Sequence, residues 1–258
     1  MTQQVIELFS KHLDTKKAAR LKRVTQAKLE AQAVVCTHQR PTGVDLQVSD
    51  LLEVVEFLKS KTEESDLFLI TSIDGVIANH RHEPLLPTNK PRLYLMQSHF
   101  AELVQFVKTH IPSAKIFFVS QVSHEKIQTK LNEMESLGLD NTLINGTLSM
   151  KEGFIGSKSG IIERFLKQTK QTPSHLVFID IQSDSLKKTK DRLSMKTTCI
   201  QFMEGIEDKL ECNAFHQGYS SVDKYAASDG QERILKQLDE YRRYKYYQTA
   251  KALLASDL

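Results

Sequence analysis

Three apolar runs in this chain end in residues of the kinds that bind polar ligands or carry protons. Leu67-Phe68-Leu69-Ile70 leads into Thr71-Ser72-Ile73-Asp74-Gly75-Val76, Lys115-Ile116-Phe117-Phe118-Val119 into Ser120, and Leu176-Val177-Phe178-Ile179 into Asp180. Lys158-Ser159-Gly160 stands where a helical pattern begins. Taken singly, each has a plain structural meaning. Asp74-Gly75 is a common turn pair, Lys158 a solvated cation at a helix start, Asp180 an N-cap, and Asp184 with Ser185 a cap for the following helix. His80 and His82, in Asn79-His80-Arg81-His82-Glu83, invite a metal or acid–base reading, but with no partner at ligand spacing they read as surface-loop residues.

Ser72, Asp74, Ser120 and Asp180 acquire joint meaning from the elements that carry them. Short, continuous apolar runs ending in small or polar residues are the mark of central parallel strands, buried on both faces. Between them lie helical patterns at His99–His110, His124–Leu137, Lys158–Lys170 and Ser183–Leu193. Gly138 is placed to close the second of these in the left-handed region, and Ser98 to cap the first. Thr197–Phe202 reads as a fourth strand. Strands alternating with helices of ten to fifteen residues imply βαβ units and a parallel sheet. Ligands bind at the carboxyl edge of such sheets, where these polar residues fall. Outside this region, the first ~35 residues lack Gly and Pro and read as helix. Val48–Leu58 reads as a second helix with Ser49 as N-cap and Glu53 near the capping-box position. Gln231–Leu254 reads as a long terminal helix carrying Tyr241, Tyr244, Tyr246 and Tyr247 among Arg242, Arg243 and Lys245.

Four of these segments, in order, resemble the loop motifs of the haloacid-dehalogenase (HAD) superfamily. Those motifs are a strand into Asp-x-Asp-Gly-(Thr/Val), a strand into Thr or Ser, a Lys at a helix start, and a strand into a pair of acids. Here they correspond to Phe68–Val76, Ile116–Ser120, Lys158-Ser159-Gly160 and Val177–Asp180, over roughly residues 65 to 202. The chain looks closest to a bacterial branch found in intracellular pathogens, in which a Gly-containing strand (here Gly153-Phe154-Ile155-Gly156) precedes the lysine. The resemblance implies an α/β Rossmannoid HAD-like domain over 65–222, with a helical segment at 1–64 and a C-terminal helix at 223–258 packed on the core. The stretch from Asn79 to Arg92 leaves room for at most a small cap.

In an intact site of this type the first Asp attacks phosphorus and binds Mg²⁺, and the second protonates the leaving group. The hydroxyl and lysine neutralise phosphoryl charge, and the last acids complete the metal's oxygen shell. By resemblance, Asp74 matches the acid/base, Ser120 and Lys158 the phosphate-binding pair, and Asp180 a metal-proximal carboxylate, with Asp184 a second metal candidate. Two positions depart. Ser72 stands at the nucleophile position, and Ile181 at the second acid of the last motif. A serine without an adjacent base is a poor nucleophile, and losing two carboxylates weakens a magnesium site. The expectation is a catalytically impaired phosphatase homologue that acts by binding a phosphorylated ligand or a protein. The rival is a working Mg²⁺-dependent phosphohydrolase or phosphotransferase using Asp180 and Asp184.

Composition sets outer bounds. At 258 residues, 40% hydrophobic and 26% charged, the chain suits one α/β domain with helical additions. No run approaches the ~20 apolar residues of a membrane span. Met1 to Asp14 lacks the basic and apolar regions of a Sec signal. Cys36, Cys199 and Cys212 are odd in number and widely spaced, which fits a reducing compartment better than a disulfide framework. A soluble, cytoplasmic protein is expected. Secretion into a host cell as a bacterial effector, which the resemblance suggests, then needs a non-Sec route. A net charge of +3 gives no reason to expect a nucleic-acid partner. The basic face of Lys16, Lys17, Arg20, Lys22 and Arg23, with the Arg/Tyr helix near Tyr241, defines a third class, a surface-binding module for membrane or nucleic acid.

Overall fold

The computed structural model of the chain describes residues 2–64, 66–81, 92–96, 99–150, 156–228 and 230–256. They form two compact units, Arg40–Tyr241 and Met1–Gln39 with Arg242–Leu258. In chain order the strands are β1 (Leu46–Val48), β2 (Leu67–Ser72), β3 (Ala78–Arg81), β4 (Arg92–Leu95), β5 (Lys115–Ser123), β6 (Gly146–Met150), β7 (His175–Asp180) and β8 (Thr197–Phe202). The helices are α1 (Thr2–Thr37), α2 (Leu51–Lys59), α3 (Phe100–His110), α4 (His124–Ser136), α5 (Lys158–Thr169), α6 (Ser183–Arg192), α7 (Glu204–His216), α8 (Val222–Ala226) and α9 (Glu232–Ala255).

Six strands make one parallel sheet in the order β1-β8-β7-β2-β5-β6, and β3 and β4 pair separately as an antiparallel hairpin. The fold is α/β and Rossmannoid, a parallel sheet flanked by helices with further helices at both termini. β2 and β7 are buried at every position, which is why both read as unbroken apolar runs rather than alternating ones. Phe68, Ile70, Phe117, Val119 and Phe178 point to one face, under Ile161, Ile162 and Leu166 of α5 and Leu186 of α6. On the other face Phe118 meets Phe100 of α3, with ring centroids 5.3 Å apart. The chain leaves β2 towards β5 but leaves β7 towards β8, so the carboxyl ends of β2 and β7 flank the point where the strand order reverses. In doubly wound sheets that is the ligand crevice.

Two strands of the six-stranded sheet lie where the sequence pattern gave no strand, and they are its two edges. β1 has only three residues and ends at Val48, where the second helix was expected to begin, and β6 begins at Gly146. An edge strand is covered on fewer sides and needs no long apolar run. Helix α2 starts one residue later than expected of its cap. Asp50, not Ser49, accepts from the Leu52 amide at 2.8 Å, while Glu53 accepts from the Asp50 amide at 3.1 Å to complete the capping box. Gly138 closes α4 with φ +100, as expected.

In the smaller unit α1 runs antiparallel to the end of α9. Lys28 Nζ donates to the Ser256 carbonyl at 2.9 Å, and the His38 ring stacks on Tyr247 at 4.1 Å. Ala31, Tyr244 and Ala250 are buried. No helix among the described residues is long and apolar enough to cross a membrane.

Candidate functional site

The last residue of β2 places the Ser72 hydroxyl in the reversal crevice, and the last residue of β7 places the Asp180 carboxylate beside it. Lys158, the first residue of α5, reaches both. Its ammonium donates to Ser72 Oγ at 2.7 Å and to the two Asp180 oxygens at 2.8 and 3.0 Å. All three residues are buried. Ser157 fixes the start of α5 by accepting from the Gly160 amide at 3.2 Å, so the lysine leaves the helix in a defined direction. Asp180 Oδ1 also accepts from the Ile181 amide at 2.8 Å. A buried ion pair is tolerable only when its remaining lone pairs are met in this way.

Asp74 sits in a tight turn after β2, where the Gly75 amide donates to the Ala78 carbonyl at 2.9 Å and Gly75 holds φ +81. Ser72 Oγ donates to the Asp74 carbonyl at 3.2 Å, and Ser120 Oγ donates to Asp74 Oδ2 at 3.3 Å. Lys130 of α4 forms an ion pair with Asp74 Oδ1. Burial opposes ionisation of Asp74, but the charges of Lys209, Lys130 and Lys158 outweigh it and hold the carboxyl far below the ordinary range. Lys209 is itself pushed down, chiefly by desolvation, with Asp74 acting the other way.

Close backbone contact brings Lys209 there. A Cβ on Gly205, in the first turn of α7, would lie 1.6 Å from the Gly75 carbonyl oxygen. The Gly205 carbonyl accepts from Asn79 Nδ2 at 3.3 Å. The start of α7 therefore lies directly against the Asp74-Gly75 turn, and Lys209 is one helical turn further on. Neither Lys130 nor Lys209 was singled out from the sequence. Each is one lysine among many on a helix, and no local motif marks it.

Ser72, Asp74, Ser120, Lys158 and Asp180 are thus linked through a single set of hydrogen bonds. Asp184 is not part of it. Its half-exposed carboxylate pairs with Lys236 of α9 at 2.6 Å. Ile181 is buried, and its Cδ1 would stand 2.6 Å from a Cβ on Gly75, so an aliphatic side chain fills the space beside the turn. The loop after Asp180 is held by Gln201, whose Nε2 donates to the Ile181 carbonyl at 3.2 Å and to Glu240 at 3.0 Å. Glu240 also accepts from Ser183 at 2.8 Å.

Among the described residues, no group of three or more His, Cys, Asp or Glu side chains is arranged to hold a metal. Both Asp180 oxygens face an ammonium, and Ser72 accepts from the same ammonium. These donors do not fit a magnesium shell. His99 is engaged elsewhere, with Nδ1 2.9 Å from the Asp50 carboxylate. His80 lies on β3. His82, Ser98, most of the Asn79–Arg92 stretch and residues 153–155 of the glycine-containing strand lie outside the described residues. Compared with known proteins, the chain matches no protein-family model and no curated protein, so its functional reading rests on the residues around Lys158.

Proposed function

We propose that this chain is a HAD-like phosphatase homologue that binds a phosphorylated ligand in the crevice between β2 and β7 without turning it over. The observation that carries the reading is the buried Lys158 ammonium bridging Ser72 and Asp180. The order of the four motifs along the chain supports the family. The loss of chemistry follows from three features of the crevice. Ser72 accepts a hydrogen bond from a cation and has no base to take its proton, so it is not an activated nucleophile. Asp74 is held ionised by its lysines, whereas a general acid must carry a proton near neutral pH. The donor set does not fit magnesium, and no step is assigned to a metal.

What survives is charge. Lys130, Lys158 and Lys209 surround two carboxylates, leaving one positive charge in excess next to the hydroxyls of Ser72 and Ser120. That combination suits a phosphoryl group. The test has two arms. With para-nitrophenyl phosphate and Mg²⁺ the protein is expected to show no metal-dependent release of nitrophenol. Turnover that Asp74→Asn and Asp180→Asn each abolish would establish the phosphohydrolase instead. In the second arm, inorganic phosphate is titrated while thermal unfolding is followed. Phosphate should raise the melting temperature, and Asp74→Asn should strengthen the effect by removing the carboxylate that competes for the lysines. No shift in either protein removes the binding reading.

A further inference from the structure

The charged groups of the crevice lie in two layers. In the inner one Ser72, Ser120 and Asp180 are fully buried, and the Lys158 side chain is 5% exposed. The three protons of the Lys158 ammonium all have acceptors, one in Ser72 and two in Asp180. That lysine has nothing left to offer a ligand unless the buried pair is broken. In the outer layer the side chains of Asp74 and Lys130 are 22% and 12% exposed, and Lys209 is also partly exposed. A solute entering the crevice meets these three groups first.

The outer groups have unused bonding capacity. Lys130 donates to Asp74 Oδ1, and its other protons have no acceptor among the described residues. Lys209 takes part in no hydrogen bond or ion pair among the described residues. It stands four residues beyond Gly205, on the face of α7 turned to the Asp74-Gly75 turn, and Asp74 is the charge that acts on it most strongly. An ammonium drawn partly out of water without a partner is costly, and an anionic oxygen beside Asp74 would supply one. Asp74 accepts from Lys130 on one oxygen and from Ser120 on the other, which leaves about two of its four lone-pair sites open. Its lysines keep it charged, so it accepts hydrogen bonds and donates none.

An anion placed here meets two kinds of neighbour. Its bare oxygens accept from Lys130 and Lys209, but an oxygen turned to Asp74 must carry a proton or be repelled. Sulfate at neutral pH has no proton to give, whereas hydrogenphosphate has one. We infer that the ligand of this crevice is a protonated phosphoryl group, whose P–OH donates to Asp74 and whose other oxygens accept from Lys130 and Lys209. The inference rests on the phosphoryl-binding reading above and narrows its ligand to free phosphate. A monoester, with a second pKa of about 6, has lost most of its own proton at neutral pH. Lys209 becomes the chief recognition cation, and Lys158 keeps the inner layer neutral.

The experiment is equilibrium dialysis of the full chain at neutral pH against radiolabelled phosphate, with unlabelled sulfate and glycerol phosphate as competitors. Phosphate should bind, and sulfate should compete at least about tenfold more weakly, the worth of one hydrogen bond to a charged acceptor. Glycerol phosphate should also trail phosphate. Lys209→Gln should weaken phosphate binding by about tenfold or more. Asp74→Asn should favour both anions but sulfate most, bringing the two level, because the amide donates to a bare oxygen and repels none. Circular dichroism shows whether each variant is folded, and the comparison of anions on the parent needs no variant. No retention of phosphate by the parent would remove the phosphoryl-binding reading and this inference with it. Phosphate binding in which sulfate or glycerol phosphate competes equally well would leave that reading standing and overturn the inference. A folded Lys209→Gln protein that binds phosphate like the parent would overturn it too.

Discussion

The Lys158 ammonium lies 2.8 and 3.0 Å from the two oxygens of the Asp180 carboxylate, and neither residue is exposed to solvent beyond 5%. Each charge is tolerated in the core because the other is there. Lys158→Met should leave Asp180 buried without its counter-charge and cost about 3–5 kcal/mol, read as a fall in urea midpoint. Adding Asp180→Leu to the same chain should recover most of that loss. A single variant as stable as the parent would mean that the pair is open to water.

Backbone approach at the Asp74-Gly75 turn gives a second outcome. Gly205→Ala places a methyl where the Gly75 carbonyl already stands, and α7 must move away. Destabilisation of about 2–3 kcal/mol is expected. Gly160→Ala is the contrast. It lies inside α5 without a positive φ, and its new methyl would meet nothing closer than 3.5 Å. It should stabilise by about 0.5–1 kcal/mol, because alanine loses less backbone entropy in a helix. Thermal melts of the two variants moving in the same direction would contradict this account.

The foot of the sheet predicts a pH dependence. His175 is buried at the start of β7, with Nε2 2.9 Å from Thr198 Oγ1 and Nδ1 3.4 Å from Glu64. Desolvation depresses its pKa, with Lys196 and Lys61 acting the same way and Glu64 opposing. The unfolded chain therefore takes up this proton first as pH falls below about 6.5, and stability drops through that range. Glu64 is also depressed, chiefly by its hydrogen bond from Lys196, but its stabilisation is lost only below about 4.5. His175→Gln keeps a partner for Thr198 and should flatten the curve between about pH 5 and 6.5. An unchanged slope in urea unfolding across that window would assign the effect to another group.

Thiol reactivity should separate the three cysteines. Burial, with Asp45 nearby, pushes the Cys199 thiol up to about 12, and desolvation raises Cys212. Cys36 is exposed on α1. Only the thiolate reacts, so iodoacetamide at neutral pH should label Cys36 while Cys199 and Cys212 remain protected until the chain unfolds. Peptide mapping by mass spectrometry reads this directly.

Much of the frame was legible because its physics is local. β2 and β7 follow from unbroken apolar runs, and α5 and α6 from their helical periodicity, with ends within one or two residues of those expected. The edge strands β1 and β6 were not legible, since a partly covered strand needs no apolar run. Ser72, Asp74, Ser120, Lys158 and Asp180 were picked out because each sits at or just beyond the end of an apolar run or at the start of a helix. Asp184 was placed with them by spacing alone, and its pairing with Lys236 depends on where α9 lies.

By itself the sequence determined the alternation of strand and helix, the residue types at the ends of the strands, and the total charge. These are properties of residue types and of neighbours along the chain. Only the tertiary structure decided that Lys130 and Lys209 join Lys158 around Asp74, because helices far apart in sequence had to pack against one turn to bring them there. It also decided that the basic segments at the two ends of the chain form one unit, with eleven Lys and Arg against four Asp and Glu for a net +7, a concentration that a whole-chain total of +3 averages away.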